Sequence, residues 1–178
     1  MLAEIKNPAL ATDVQKPGTA QVGLTVFVTV ADPPSDPPTA TFSYDFEYDG
    51  KHTARSVWIV NEFADFTLTL EPDLPADYLM TFAPLNPDGS GPITWLTPGG
   101  KDKREKPDFV IQGPDLSDDQ MTITFTVQND ASPGESILVS FALNVVLTAP
   151  DGQTTPFTSP DPTIINVDPT GGVNGDAN

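Results

Sequence analysis

The strongest signal along the chain is strict alternation of apolar and polar positions. Within residues 21–30, Val22, Leu24, Val26, Val28 and Val30 fall on one side of an extended backbone, and Gly23, Thr25, Phe27 and Thr29 fall on the other. Residues 40–49 repeat the pattern with Phe42, Tyr44, Phe46 and Tyr48 against Thr41, Ser43, Asp45, Glu47 and Asp49. Residues 64–70 set Phe66, Leu68 and Leu70 against Asp65, Thr67 and Thr69, and residues 121–128 set Met121, Ile123, Phe125 and Val127 against Thr122, Thr124 and Thr126. In residues 136–148, Ile137, Val139, Phe141, Leu143, Val145 and Leu147 make the longest stripe. Side chains of a strand point alternately to its two faces, so a period of two marks strands with one buried face. Shorter apolar runs at 57–60, 78–82, 93–96, 109–112 and 164–167 add further strands.

Turn-forming clusters separate these segments: Asp32 to Pro38, Asp49-Gly50, Asn86 to Pro92, Pro98-Gly99-Gly100, Ser132-Pro133-Gly134 and Pro150-Asp151-Gly152. Proline falls almost wholly in these gaps, where its missing N–H removes no ladder hydrogen bond. No segment combines helical periodicity with the length of a helix. The pattern predicts an all-β chain, an immunoglobulin-like antiparallel β-sandwich of about 7–10 strands. One domain suits the 178 residues. Residues 1–20, weakly patterned, read as an N-terminal arm or edge strand, residues 21–169 as the sandwich, and the Gly-rich residues 170–178 as a flexible tail.

Composition narrows the function classes. The chain holds 8 Lys+Arg against 25 Asp+Glu, a formal net charge of −17, with no Cys and a single His. Such acidity opposes binding to nucleic acid or to an anionic membrane. The lack of Cys removes disulfide and thiolate-zinc chemistry, and no apolar run reaches the ~20 residues of a membrane span. No cofactor is expected. Residues 1–8 lack the basic and apolar regions of a signal peptide, so the expected location is cytoplasmic, or extracellular or virion-associated if the chain is a mature or assembled form.

Candidate chemistry is sparse. His52 follows the Asp49-Gly50 turn, and no Gly-x-Ser-x-Gly nucleophile elbow accompanies it, so it reads as a surface histidine beside a hairpin. Asp45, Glu47 and Asp49 share one face of a strand, Asp115, Asp118 and Asp119 cluster in a loop, and Asp88 sits in a Gly-rich turn. Oxygen-rich loops suit Ca²⁺, and paired carboxylates suit glycoside hydrolysis. Turn formation is the simpler reading of these aspartates. The aromatic set Phe42, Tyr44, Phe46, Tyr48, Trp58 and Trp95 would stack sugars if exposed and fill the core if buried. Segment 101–106 stands out, because Lys101, Lys103, Arg104 and Lys106 are four of the eight basic residues. Its local charge is 4 − 2 = +2, leaving −19 on the rest of the chain. A compact basic segment on so acidic a molecule complements other copies of itself. The segment also reads simply as a solvated loop.

The C-terminal third carries a resemblance. Residues 119–125, Asp-Gln-Met-Thr-Ile-Thr-Phe, and residues 158–166, Thr-Ser-Pro-Asp-Pro-Thr-Ile-Ile-Asn, resemble the ending of small bacterial proteins of the DP-EP family. Thr163 stands where that family places an acid. The resemblance implies a compact, cytosolic β-sandwich and transfers no catalytic residue. Independently of it, Pro160 and Pro162 stiffen an extended approach to a final strand. These observations together lead to the expectation of a non-enzymatic structural protein that self-associates as a homo-oligomer or docks on a larger particle. Lys101, Lys103, Arg104 and Lys106 are the expected partner-binding residues, and a carbohydrate- or calcium-binding module is the alternative.

Overall fold

The computed structural model describes residues 16–32, 34, 36–54, 56–59, 61–86, 91–97, 101–103, 110–128, 136–160 and 163–167. Every regular element among them is a strand. In chain order these are β1 (Lys16–Val30), β2 (Ala40–Tyr48), β3 (Lys51–Thr53), β4 (Ser56–Ile59), β5 (Asn61–Asp73), β6 (Leu79–Phe82) and β7 (Ile93–Thr97). They continue with β8 (Lys101–Lys103), β9 (Val110–Leu116), β10 (Thr122–Gln128), β11 (Ser136–Thr148), β12 (Thr154–Thr158) and β13 (Thr163–Val167). The five strands expected from alternation and the five expected from shorter apolar runs are all present. Three more, β3, β8 and β12, are short and polar and carry no stripe that would announce them.

The strands form two sheets. A six-stranded sheet runs β3-β2-β1-β5-β10-β9, and a seven-stranded sheet runs β4-β13-β11-β7-β8 with β12 and β6 also paired to β11. The N-terminal half of β11 lies between β13 and β7, and its C-terminal half between β12 and β6. The chain changes sheets between Ile59 and Asn61, where β4 of one sheet leads directly into β5 of the other.

Two findings correct the expected architecture. The sandwich is not purely antiparallel: β1 pairs parallel to β5 from Lys16↔Asn61 to Thr29↔Asp73, and β13 pairs parallel to β4. Alternation of side chains is the same in either direction, so the sequence pattern holds no information on strand sense. The strand count, thirteen among the described residues, also exceeds the expected range. In addition, β1 begins at Lys16, inside the segment read as an arm or edge strand, and it is an interior strand of its sheet. Its register with β5 shifts between Lys16 and Thr19, around Gly18 at φ 100°. The irregularity explains the weak pattern there. Residues 1–15 and 168–178 lie outside the described residues, and the flexible-tail reading lies there with them.

The core lies between the two sheets. Val22, Leu24, Val26 and Val28 of β1 are buried, as are Phe66 and Leu68 of β5, Ile123 and Phe125 of β10, and Phe141, Leu143, Val145 and Leu147 of β11. Four aromatic rings link the layers. Phe66 and Phe125 are register partners in the six-stranded sheet and stack at 5.0 Å and 9°. Trp95 and Phe141 are register partners in the seven-stranded sheet, with centroids 5.7 Å apart. Trp95 meets Phe125 edge to face at 5.4 Å across the interface. Rings favour these offset and T-shaped contacts because their edges are positive and their faces negative.

Candidate functional site

With one face of each sheet in the core, chemistry is left to the outer faces and rims. The outer face of the six-stranded sheet is the most distinctive surface. Register places Glu47, Gly23, Thr67, Thr124 and Asp115 in one row across β2, β1, β5, β10 and β9. A neighbouring row holds Gln21, Asp65, Thr126 and Gln112. Asp65 accepts hydrogen bonds from Gln21 Nε2 at 3.0 Å and from Thr126 Oγ1 at 2.7 Å. Two neutral donors on flanking strands thus fix its carboxylate. Two open grooves lie on this face. One, of about 280 Å³, runs between Asp65, Gln112, Asp115, Thr124 and Thr126. The other, of about 400 Å³, lies over Gly23 between Gln21, Glu47, Asp49 and Thr67. A Cβ on Gly23 would meet Glu47 Cβ at an ordinary 3.7 Å, so packing does not demand glycine there, and its bare backbone floors the groove.

The hairpin joining β2 to β3 is a two-residue Asp49-Gly50 loop between register partners Tyr48 and Lys51. Both loop residues have positive φ, 51° and 69°, the conformation that matches the twist of paired strands. It brings His52 opposite Glu47, and His52 Nδ1 lies 2.9 Å from Asp45 Oδ2. This is the single ion pair recorded among the described residues. The Asp45 hydrogen bond, the Asp45 charge and, more weakly, the Glu47 charge raise the imidazole pKa above its ordinary value. A raised folded-state pKa means that the pair favours folding at pH below the unfolded-state pKa. The contribution fades as pH rises through the folded-state value. An NMR titration should therefore place His52 above an unfolded-peptide reference, and Asp45→Asn should bring it back toward that reference. As an exposed pair it has little weight in stability.

The other sequence candidates separate clearly. The Asp119 carboxylate accepts from Ser117 Oγ at 2.5 Å and from the Met121 amide at 3.0 Å, which closes the β9–β10 turn and lowers its pKa, the Ser117 bond contributing most. Asp151 caps its own turn through the Gln153 amide at 3.0 Å. These aspartates are turn formers, and among the described residues no three His, Asp or Glu side chains gather to hold a metal ion. Trp95 is 2% exposed and belongs to the core, so it offers no sugar platform. The Trp58 side chain and all of Asp88 lie outside the described residues. Lys101 and Lys103 are on β8, the last strand of its sheet, paired to Thr97 and Trp95 of β7, while Arg104 and Lys106 lie outside the described residues. Half of the basic segment is thus an edge strand, where a solvated loop was the simpler reading.

Sequence reasoning missed the grouping of Gln21, Gly23, Asp65, Thr126, Gln112 and Asp115. Their outward orientation was legible from alternation, whereas their adjacency depends on strand order. The Ser159 motif has a structural role: Ser159 Oγ accepts from the Leu143 amide at 2.8 Å and its own amide donates to Leu143 O at 2.8 Å. No helix among the described residues is long and apolar enough to cross a membrane. No protein-family model matches the chain, and no curated protein matches it.

Proposed function

We propose that this is a non-enzymatic structural protein that acts by self-association, or by docking on a larger particle, through charged contacts made by segment 101–106. The observation that carries this reading is the separation of charge. A local +2 is concentrated in six residues, and the remaining chain bears −19. The segment begins on β8 at the end of its sheet, an outermost position suited to contact with another molecule. One observation weighs against a histidine-based enzyme: His52, the chain's single histidine, pairs with Asp45 on an exposed hairpin and lines neither groove of the outer sheet face.

Exposed ionic contacts are screened over about 10 Å at 0.1 M salt and about 3 Å at 1 M. Sedimentation velocity or light scattering at low ionic strength should give a mass above 19.0 kDa that rises with protein concentration. Raising the salt to about 0.5 M should return the monomer. A strict monomer at low salt and high concentration would overturn the proposal.

A further inference from the structure

We infer that the Asp49-Gly50 hairpin tip is a site of self-modification, at which Asp49 isomerises to isoaspartate through a cyclic imide and so detaches β3 from its sheet. Self-association plays no part in it. The chain contains three Asp-Gly pairs, 49–50, 88–89 and 151–152, and the second lies outside the described residues. A main-chain nitrogen reaches the preceding side-chain carboxyl most freely when it belongs to glycine, which has no Cβ to crowd the approach. A Cβ built on Gly50 or on Gly152 would meet nothing within 4 Å, so both tips are open. Hydrogen bonding separates them. At Asp151 both reacting groups are engaged: its Oδ1 accepts from the Gln153 amide at 3.0 Å, and the Gly152 amide donates to Ala149 O at 2.8 Å. Among the described residues neither the Asp49 carboxylate nor the Gly50 amide makes a hydrogen bond.

In the first step the Gly50 nitrogen bonds to Asp49 Cγ. The amide proton and the hydroxyl of the protonated carboxyl leave as water, which closes the imide ring. In the second step water adds to a ring carbonyl. Addition at Cγ restores aspartate. Addition at the main-chain carbonyl carbon leaves the chain running through Cβ and Cγ, which is isoaspartate. The water lost is regained, and no other reactant enters. Ring closure requires rotation about the Asp49 main chain, which sits at φ 51° in the turn, so the hairpin must open locally. The hold on β3 is light: its three residues are all exposed and pair with β2 alone. Elements with so few buried contacts open at low cost.

The product does not fit this hairpin. A two-residue loop with both residues at positive φ matches the twist of its strands only at the normal backbone length. Isoaspartate puts an extra carbon into the backbone of that loop. The pairs Tyr48↔Lys51, Glu47↔His52 and Phe46↔Thr53 then lose their register, and His52 leaves Asp45. The core is untouched, because β3 contributes no buried residue. β2 becomes the last strand of its sheet over Phe46, Glu47 and Tyr48, with its backbone groups open to a new partner.

The test ages the full chain at physiological temperature and pH and maps isoaspartate in its peptides by electron-transfer mass spectrometry. Isoaspartate should form about five to thirty times faster at Asp49 than at Asp151, the factor expected when one or two hydrogen bonds must break first. Asp49→Asn keeps a residue that the turn favours and makes ammonia the leaving group in place of water, so it should form isoaspartate at position 49 faster still. In aged wild type, NMR should show a second His52 signal that titrates closer to an unfolded-peptide reference, with the core signals unchanged. Equal rates at Asp49 and Asp151, or an Asp49→Asn form that stays unmodified, would overturn the inference. So would an isoaspartate-bearing chain whose His52 titrates like that of fresh protein, or one whose core signals are lost.

Discussion

Phe125→Ala should destabilise the fold by about 3–5 kcal/mol, the range for deleting a buried aromatic ring. Phe125 is 3% exposed and touches both sheets. It stacks on Phe66 at 5.0 Å and meets Trp95 at 5.4 Å and Phe141 at 6.2 Å, both nearly at right angles. The vacated volume would be walled by three rings that are themselves fixed by strand pairing, so collapse into it is limited. Urea unfolding should show a lower midpoint with an unchanged slope, the signature of lost stability without altered compactness. Phe27→Ala supplies the contrast. Phe27 points outward from β1 at 38% exposure, and its removal should shift stability by no more than about 0.5 kcal/mol. Equal effects at the two positions would refute a core centred on the aromatic cluster.

Gly113→Ala should be nearly as damaging, at about 2–4 kcal/mol, from left-handed backbone strain plus overpacking. Gly113 has φ 79°, and a Cβ there would lie 2.6 Å from Thr124 O and 3.0 Å from Phe125 Cα. Backbone atoms of β10 cannot rotate away as a side-chain tip would. The position coincides with an irregularity in the β9–β10 register, between Asp115↔Thr124 and Gln112↔Thr126. A displaced β9 would also move Asp115 and Gln112 out of the outer-face rows. Gly18→Ala, at φ 100° but with nothing within 4 Å, should cost only the backbone strain of about 1 kcal/mol. Thermal melts of the two variants compare clash against strain directly.

The hydrophobic side of the fold was readable where burial is one-sided and deep. The five stripe residues Val22, Leu24, Val26, Val28 and Val30 are all buried as alternation requires, while Phe27, on the other face, is exposed. The Phe42–Tyr48 stripe shows how the reading weakens toward a sheet edge. Phe46 is buried, but Phe42, Tyr44 and Tyr48 only pack partly against the core, since β3 is the last strand beyond β2. The two tyrosine hydroxyls find partners instead: Tyr48 donates to Asn61 Oδ1 at 2.7 Å, and Tyr44 to the Pro160 carbonyl. Strand ends were harder. Proline usually argues against a strand, yet β5 continues through Glu71, Pro72 and Asp73 because β10 has ended opposite Thr69 and only β1 remains alongside. Pro156 sits equally well in β12, which pairs with β11 alone. For the outer face, residue types and their orientation were legible and their adjacency was not. Gln21 and Asp65 are 44 positions apart, and only a parallel β1–β5 pair makes them neighbours.

The dependence of the seven-stranded sheet on β11 sets an order for folding during translation. β6 and β7 emerge first, but their pairing partner is complete only when residue 148 has left the ribosome. Until then Met80, Phe82 and Ile93 have no partner strand, and Trp95 has only the three-residue β8. The six-stranded sheet, finished by residue 128, waits meanwhile with its greasy inner surface uncovered. A nascent chain paused in that interval exposes the whole future interior at once, the condition under which holding chaperones bind and neighbouring polypeptides aggregate.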